Sequence, residues 1–352
     1  MKHNLAFVGF GIVGQGLANL LLEKKELLKE KYDFEYAVVA ISDPLKGSVY
    51  DSEGLDLKGL LSLVRETGGI KEYREGEKGW NSLKTIRESN ADIIVEVTYT
   101  DIQTGEPAIS HIKAALNSKK HVATTNKGPI ALAYRELSEL AKEDGVGLRF
   151  EGTVMSGTPS LALGLGALAG AEINEVRGIL NGTTNYILTE MAKGIGYDAA
   201  LREAQRLGYA EADPEADVEG WDALAKIVIL ANALLGGDVK VDEVKRKGIT
   251  EISLADVEAA KQEGKCRKLI ARAWRESGEA SSRGSARGVK AEVTPEKIAN
   301  EDFLAGVTGV TKALVIDTDT LGQVMLTGPG AGGRETGFAL LSDLLSIHRA
   351  LA

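Results

Sequence analysis

The chain has a single cysteine, Cys266, among 352 residues. One thiol cannot close an intramolecular disulfide framework or supply a Cys-rich metal site, and such sparing use fits a reducing compartment. Only a link between two chains stays open to it. Long apolar runs are missing too: no segment reaches the roughly 20 residues of a membrane span. Positive charge is in deficit, with 42 Lys and Arg against 51 Asp and Glu and a formal net charge of −9. Nucleic acid and anionic membrane surfaces select for clustered basic residues, so neither is expected as the main partner. The opening MKHNLAFVGFGIVG runs straight into an apolar strand pattern rather than a charged, apolar and cleavable leader, so a cytoplasmic location is expected.

Glycine is plentiful, at 41 residues, well above the usual share of about 7%. With 43% apolar and 26% charged residues, the composition is that of a globular protein with many tight turns and close backbone approaches. The length suits two or three cooperating domains around ample core. No internal repeat is visible.

The first 145 or so residues alternate strand-like and helical patterns, as a doubly wound parallel sheet requires. Strands are expected at Asn4–Val8, Tyr36–Ile41, Ile93–Thr98 and His121–Thr124, and helices at Ile12–Lys29, Gly105–Leu116 and Tyr134–Glu143. After Leu148 the texture becomes small, glycine-rich and apolar, which marks a domain crossing. Glu172–Leu180 then reads as an interior strand and residues 197–236 as strongly helical. Residues 237–265 read only as a helical, charged surface, and Arg275–Lys290 as a polar turn. Phe303–Ile316 and Gly322–Thr327 read as strands, and Glu335–Leu351 as a closing helix.

Gly9, Gly11 and Gly14 form GxGxxG between the first strand and the first helix. That spacing gives a tight turn, close approach of a pyrophosphate to the backbone and close helix–strand packing. Alone it is a common glycine turn; after a first strand in a βα alternation it indicates dinucleotide binding. Asp43, following the second strand, is placed to accept hydrogen bonds from a ribose 2′-OH, which favours NAD, and Lys46 could instead attract a 2′-phosphate. A turn-capping role in SDPLKG is the competing reading of Asp43.

The densest chemical signal is GYAEADPEADVEGWDALAK, residues 208–226. A helix starting near Asp217 puts Asp222 and Lys226 at i and i+4 on one face. Such a lysine can donate a proton to a carbonyl oxygen as hydride arrives, or accept one in the alcohol direction. In isolation such a pair reads first as a surface salt bridge of little worth. Two further segments give it company. In TTNKGP, Lys127 follows a strand end at the carboxyl edge of the sheet, where open α/β folds hold ligands. In GILNGTTNYIL, Gly182 and Thr183 can present backbone and hydroxyl groups to a polar ligand, or merely start a capped helix.

From GFGIVG through GPGAGGRETG, nearly the whole chain resembles the homoserine dehydrogenase family. The resemblance implies an α/β Rossmann-type doubly wound parallel sheet plus an α+β domain with a mixed sheet. It divides the chain into a dinucleotide-binding domain (1–148), a substrate-binding and dimerisation domain (149–310) and a C-terminal segment (311–352) returning to the first. It implies reversible NAD- or NADP-dependent interconversion of L-homoserine and L-aspartate 4-semialdehyde, by a homodimer or homotetramer. Lys226 and Lys127 match the family's catalytic positions, and Glu211, Asp222, Asp217, Tyr209, Gly182 and Thr183 its substrate pocket. Cofactor contacts fall on Gly9, Phe10, Gly11, Ile12, Val13, Gly14, Asp43, Thr98, Lys127 and Gly332. A monovalent cation, sodium or potassium, is implied among Glu151, Val154, Ser156 and Thr158, a hard set of oxygens. The length leaves no room for the regulatory domain or fused kinase of some relatives, so feedback through one is not expected. The rival readings are another Rossmann oxidoreductase of amino acid metabolism and a catalytically silent NAD(P)-binding sensor.

Overall fold

The computed structural model describes residues 1–276 and 288–351. They fall into two compact units, Met1–Gly157 with Ala331–Ala352, and Thr158–Gly330. The divisions thus lie later than 148/149 and 310/311. Leu148–Arg149 still pairs within the first sheet, and residues 312–328 supply two strands of the second.

The first unit holds strands β1 (Lys2–Val8), β2 (Glu35–Asp43), β3 (Gly47–Tyr50), β4 (Glu77–Lys78), β5 (Ile93–Glu96), β6 (His121–Thr124) and β7 (Leu148–Arg149). They form one sheet in the order β4-β3-β2-β1-β5-β6-β7. β2, β1, β5, β6 and β7 run parallel, and the short β3 and β4 add an antiparallel edge. β1 is central, and Leu5, Ala6, Phe7 and Val8 are all fully buried. A strand covered on both faces reads as such a continuous apolar run. Because β1 lies between β2 and β5, the loop leaving it sits where the strand order reverses, the usual ligand position in open sheets.

The helix expected over Ile12–Lys29 is two helices, Ile12–Glu23 and Lys25–Tyr32, bent at Lys24 (φ −104°, ψ 10°). The first buries Leu17, Ala18, Leu20 and Leu21, whereas the second buries only Leu28. With so little apolar surface to anchor it, the charged second segment departs from the first axis. The C-terminal helix Gly333–Leu351 packs along Ile12–Glu23. Their approach is so close that a Cβ at Gly16 would stand 2.1 Å from the Gly333 carbonyl oxygen.

The second unit holds β8 (Ile173–Ile179), β9 (Lys245–Arg246), β10 (Lys265–Arg275), β11 (Val289–Ala299), β12 (Lys312–Thr318) and β13 (Gly322–Gly328). Their order is β13-β12-β8-β10-β11-β9, with only the β11–β9 pair parallel, so this sheet is mixed. The helix Trp221–Leu235 packs on β8, β10 and β11 and is buried nearly all round, as its continuous apolar sequence requires. The long helical stretch expected over 197–236 resolves into Tyr197–Arg206, Glu215–Val218 and Trp221–Leu235, and residues 237–265 carry only one α-helix, Leu254–Gln262. The polar turn expected over Arg275–Lys290 lies, apart from its ends in β10 and β11, outside the described residues.

The strand expected from Phe303 starts only at Lys312. Before it, Asp302 Oδ1 accepts from Leu304 N at 2.8 Å, and Asn185 Nδ2 donates to the carbonyls of Val307 and Gly309. These bonds close a turn and occupy carbonyls that a strand neighbour would need. Leu304 and Val307 instead join Ile179, Ile270 and Ile298 in the core.

Replacing glycine by alanine inside a helix ordinarily gains about 1 kcal/mol. At Gly16 the clash with Gly333 reverses the sign, because overpacking a close approach costs about 1–3 kcal/mol. Gly16→Ala is expected to lower the unfolding free energy in urea, and a stabilised variant would show that the two helices separate freely.

Candidate active site

In the first unit, β1 ends at Val8 and the glycine turn follows at once. Gly9 adopts φ +94°, and a Cβ there would lie 2.5 Å from the Val97 carbonyl oxygen, so only glycine passes β5 here. Gly9 N donates to Ser42 O at 2.8 Å, and Phe10 N to Asp43 Oδ2 at 2.8 Å. Gly11 is the N-cap of Ile12–Glu23, without a side-chain cap and without an acidic residue in the first turn. The helix start therefore keeps backbone N–H groups for an anion, and the space where a Gly11 side chain would stand is open. Val13 and Gly14 lie in the first turn, and Ile12 beside them is 78% exposed. Leu45 and Tyr99, which follow β2 and β5, are likewise exposed. Apolar side chains next to uncapped N–H groups at a sheet's carboxyl edge suit a nucleotide with phosphates and flat rings.

Asp43 has more structural duty than a ribose contact implies. Its Oδ2 accepts from Phe10 N, and its Oδ1 from Leu45 N and Lys46 N, both at 2.9 Å. A carboxylate offers about four acceptor positions, so one remains for a ligand. Lys46 lies in the same turn.

Thr98 turns its hydroxyl and its N–H to Glu96, the buried last residue of β5. Lys127 opens the helix Lys127–Glu143, just beyond β6, with Asn126 as N-cap. Gly332, with φ +124°, precedes the C-terminal helix.

The second unit assembles the carboxylate and lysine set. Asp222 and Lys226 share the helix Trp221–Leu235, which starts four residues later than expected but keeps their i, i+4 relation. Lys226 Nζ donates to Asp222 Oδ2 at 2.5 Å and to the Leu180 carbonyl at 3.0 Å. Their side chains are only 6% and 14% exposed, which rules out the ordinary surface salt bridge. Asn181 Nδ2 donates to Asp217 Oδ1 at 2.6 Å and Asp222 Oδ2 at 2.9 Å. Its Oδ1 caps the helix Gly182–Met191 by accepting from Thr184 N. Thr183 Oγ1 lies 2.9 Å from Asp217 Oδ2 and 2.7 Å from the Tyr209 carbonyl, and its single proton serves one of them at a time. Gly182 begins the same helix.

Asn181 was not among the expected site residues. The signal for it was its place as N-cap of the NGTTNYIL helix, three residues before Thr184. Tyr209 is partly exposed and sets its ring edge-on to Tyr186 at 5.1 Å. Glu211 is exposed, and among the described residues its carboxylate makes no hydrogen bond or ion pair with the cluster; only its carbonyl is engaged, by Gln205.

Of the expected cation ligands, Glu151, Val154 and Ser156 are buried in the first unit. Asp343 Oδ2 accepts from Glu151 N at 3.0 Å. Burial, and then the Glu151 charge, push the Asp343 carboxyl well above the usual carboxylate range. A cation fits this acidic, oxygen-rich surrounding. Thr158 is counted in the second unit, with its hydroxyl donated to the Pro329 carbonyl. Among the described residues no three His, Cys, Asp or Glu side chains gather as a metal centre, and no helix is long and apolar enough to cross a membrane.

Family models agree with both halves. A model described as homoserine dehydrogenase, NAD binding domain, matches residues 9–151, and one described as homoserine dehydrogenase matches 159–345. The chain is 43% identical to an NAD(+)-dependent homoserine dehydrogenase of Pseudomonas canavaninivorans, over 99% of this chain and 97% of that one. It is 42% identical to a homoserine dehydrogenase of Methanocaldococcus jannaschii, over 99% of each. Among solved structures, a hyperthermophilic archaeal homoserine dehydrogenase in complex with NADPH is similar at a TM-score of 0.82 and 32% identity, covering 99% of this chain and 98% of that one. A homoserine dehydrogenase from Thiobacillus denitrificans is similar at 0.84 and 30%, covering 100% and 74%.

Asn181→Asp keeps the helix cap but sets a third carboxylate against Asp217 and Asp222. A lost bridging donor costs about 1–3 kcal/mol. Like charges raise the new carboxyl's folded pKa, so the deficit is largest at neutral pH and shrinks as pH falls through that value. Urea denaturation at neutral and mildly acidic pH reads this, and an equal loss at both would refute the charge origin.

Proposed function

The chain belongs to the homoserine dehydrogenase family, and from that premise we propose how its own side chains carry out the NAD(P)-dependent interconversion of L-homoserine and L-aspartate 4-semialdehyde. The supporting observation is the buried Lys226 ammonium, fixed by Asp222 and the Leu180 carbonyl inside a cluster with Asn181, Asp217 and Thr183.

The nicotinamide cofactor supplies the hydride to the aldehyde carbon, or accepts it in the alcohol direction. Gly11 to Gly14, in the turn that begins at Gly9 and Phe10, would hold its pyrophosphate on backbone N–H groups, with Asp43, Thr98 and Gly332 as further contacts. NAD and NADP both suit this reading, since one relative is named for NAD(+) and one solved neighbour holds NADPH. As hydride adds to the carbonyl carbon, the C=O electron pair moves onto oxygen and Lys226 passes its proton there. In reverse Lys226, once deprotonated, takes the hydroxyl proton. Lys127 orients or polarises the same carbonyl.

Asp217 and Asp222 set two formal negative charges against one ammonium, which leaves the cluster attractive to the substrate's α-ammonium group. Glu211 and Tyr209, exposed beside it, close on that group when substrate binds. Glu151, with the oxygens of Val154 and Ser156, would hold a sodium or potassium ion that neutralises the buried carboxylate. The working form is a homodimer or homotetramer in the cytoplasm.

The test is the near-ultraviolet absorbance of reduced cofactor, followed with L-homoserine and either NAD or NADP. A homoserine-dependent rise is expected, and general acid–base contributions of about 100- to 10,000-fold set the loss of kcat in Lys226→Ala. Folding of the variant is checked by circular dichroism. An unchanged kcat would remove Lys226 from proton transfer. No turnover in either direction would return the chain to the sensor or another Rossmann oxidoreductase.

A further inference from the structure

The most unusual polar group in the first unit is Glu96. It ends β5, lies in register between Val8 of β1 and Thr124 of β6, and is fully buried. Among the described residues no lysine or arginine is paired with it. Burying a carboxylate in this way is costly unless its oxygens are well hydrogen-bonded. A leucine would fill the volume at lower cost, so what the carboxylate accepts matters more than what it fills.

It accepts from Thr98, in the loop just after β5, and from Thr124, the last residue of β6. Oε1 takes the Thr98 hydroxyl and, at 3.3 Å, the Thr98 N–H, while Oε2 takes the Thr124 hydroxyl at 3.2 Å. Thr124 Oγ1 in turn accepts from Asn126 N at 3.0 Å, so a relay runs from the Asn126 backbone through Thr124 to Glu96. Asn126 Nδ2 closes the circuit on the Tyr99 carbonyl at 2.9 Å. The Asn126 Oδ1 is left buried without a hydrogen-bond partner among the described residues, so the amide is held by what its NH2 donates to. His111 Nδ1 stands 3.5 Å from Oε1.

We infer that Glu96 is a positioning residue for hydride transfer: one buried carboxylate sets the backbone after β5, at Thr98, and after β6, at Asn126 and Lys127, to a common register. The inference rests on the proposed function, which gives Thr98 to the cofactor and Lys127 to the carbonyl. Glu96 itself touches neither. A misplacement of about 1 Å in such a frame costs on the order of 100-fold in rate.

Glu96→Leu keeps the volume and removes both acceptors; Glu96→Gln keeps one acceptor for Thr98 N and turns an NH2 to the Thr124 oxygen. Each variant is assayed with cofactor deuterated at the transferred position. For Glu96→Leu we expect kcat to fall on the order of 100-fold, with a raised cofactor KM and a larger primary isotope effect as hydride transfer becomes limiting. Glu96→Gln should recover most of the rate. A purely structural role would lower kcat only in proportion to the folded fraction, leaving KM and the isotope effect unchanged, and would overturn the inference. So would a Leu variant that matches the parent.

If Glu96→Leu does not fold, Thr124→Val cuts the same relay without removing the carboxylate and must show the larger isotope effect. If the parent enzyme shows no homoserine turnover, the proposed function has failed by itself. Reduced-cofactor fluorescence titration then decides for Glu96: a weaker dissociation constant in Glu96→Leu supports it, and an unchanged one overturns it.

Discussion

The polar cluster of the second unit is organised around the buried ammonium of Lys226. A charge so enclosed persists only with partners, and Lys226 has a carbonyl and a carboxylate. The carboxylate of Asp222 then needs a donor beyond the lysine, which Asn181 supplies. Asn181 extends the same NH2 to Asp217, and Asp217 engages Thr183. Each group satisfies the next, so a single substitution leaves a buried polar atom exposed to its full desolvation cost. Because the Leu180 carbonyl lies just beyond β8, the lysine also ties the helix Trp221–Leu235 to the end of that strand. The polar cluster and the packing of this unit share one set of contacts.

Three acids of the first unit work differently. Asp43, Glu96 and Asp343 accept from backbone N–H groups or hydroxyls rather than pairing with lysine. Loops leaving parallel strands carry backbone donors with no sheet partner, and a short acidic side chain can gather several at once. Asp43 joins the glycine turn to the turn after β2, and Glu96 joins the turns after β5 and β6. Together these two carboxylates fix four loops along one sheet edge.

Legibility in the sequence follows the range of the cause. β1, the glycine spacing, β6 and the i, i+4 pair of Asp222 and Lys226 are local, and each can be read from neighbours along the chain. The bend at Lys24 is hidden, because helical periodicity continues on both sides of it. β3 and β4 span four and two residues at the sheet edge, too short for a period to register. The stretch before Lys312 is apolar enough for a strand, but Asn185, more than 100 residues away, holds its carbonyls in a turn. Asn181 and Asp217 lie 36 residues apart, so their contact exists only in the fold.

The same distinction separates the two candidate sites. The carboxyl edge of the first sheet is built from backbone: uncapped N–H groups, a glycine turn pressed against the chain after β5, and exposed side chains such as Ile12 and Leu45. Backbone geometry is encoded by which residues lack a side chain, so it surfaces as glycine spacing, while Ile12 and Leu45 need only be apolar. The polar cluster of the second unit is built from side-chain identities, where exchanging an amide for a carboxylate inverts donor and acceptor. Spacing alone cannot encode that. It requires Asn at 181, Asp at 217 and 222 and Lys at 226 at once, since each group is satisfied only by the identity of the next.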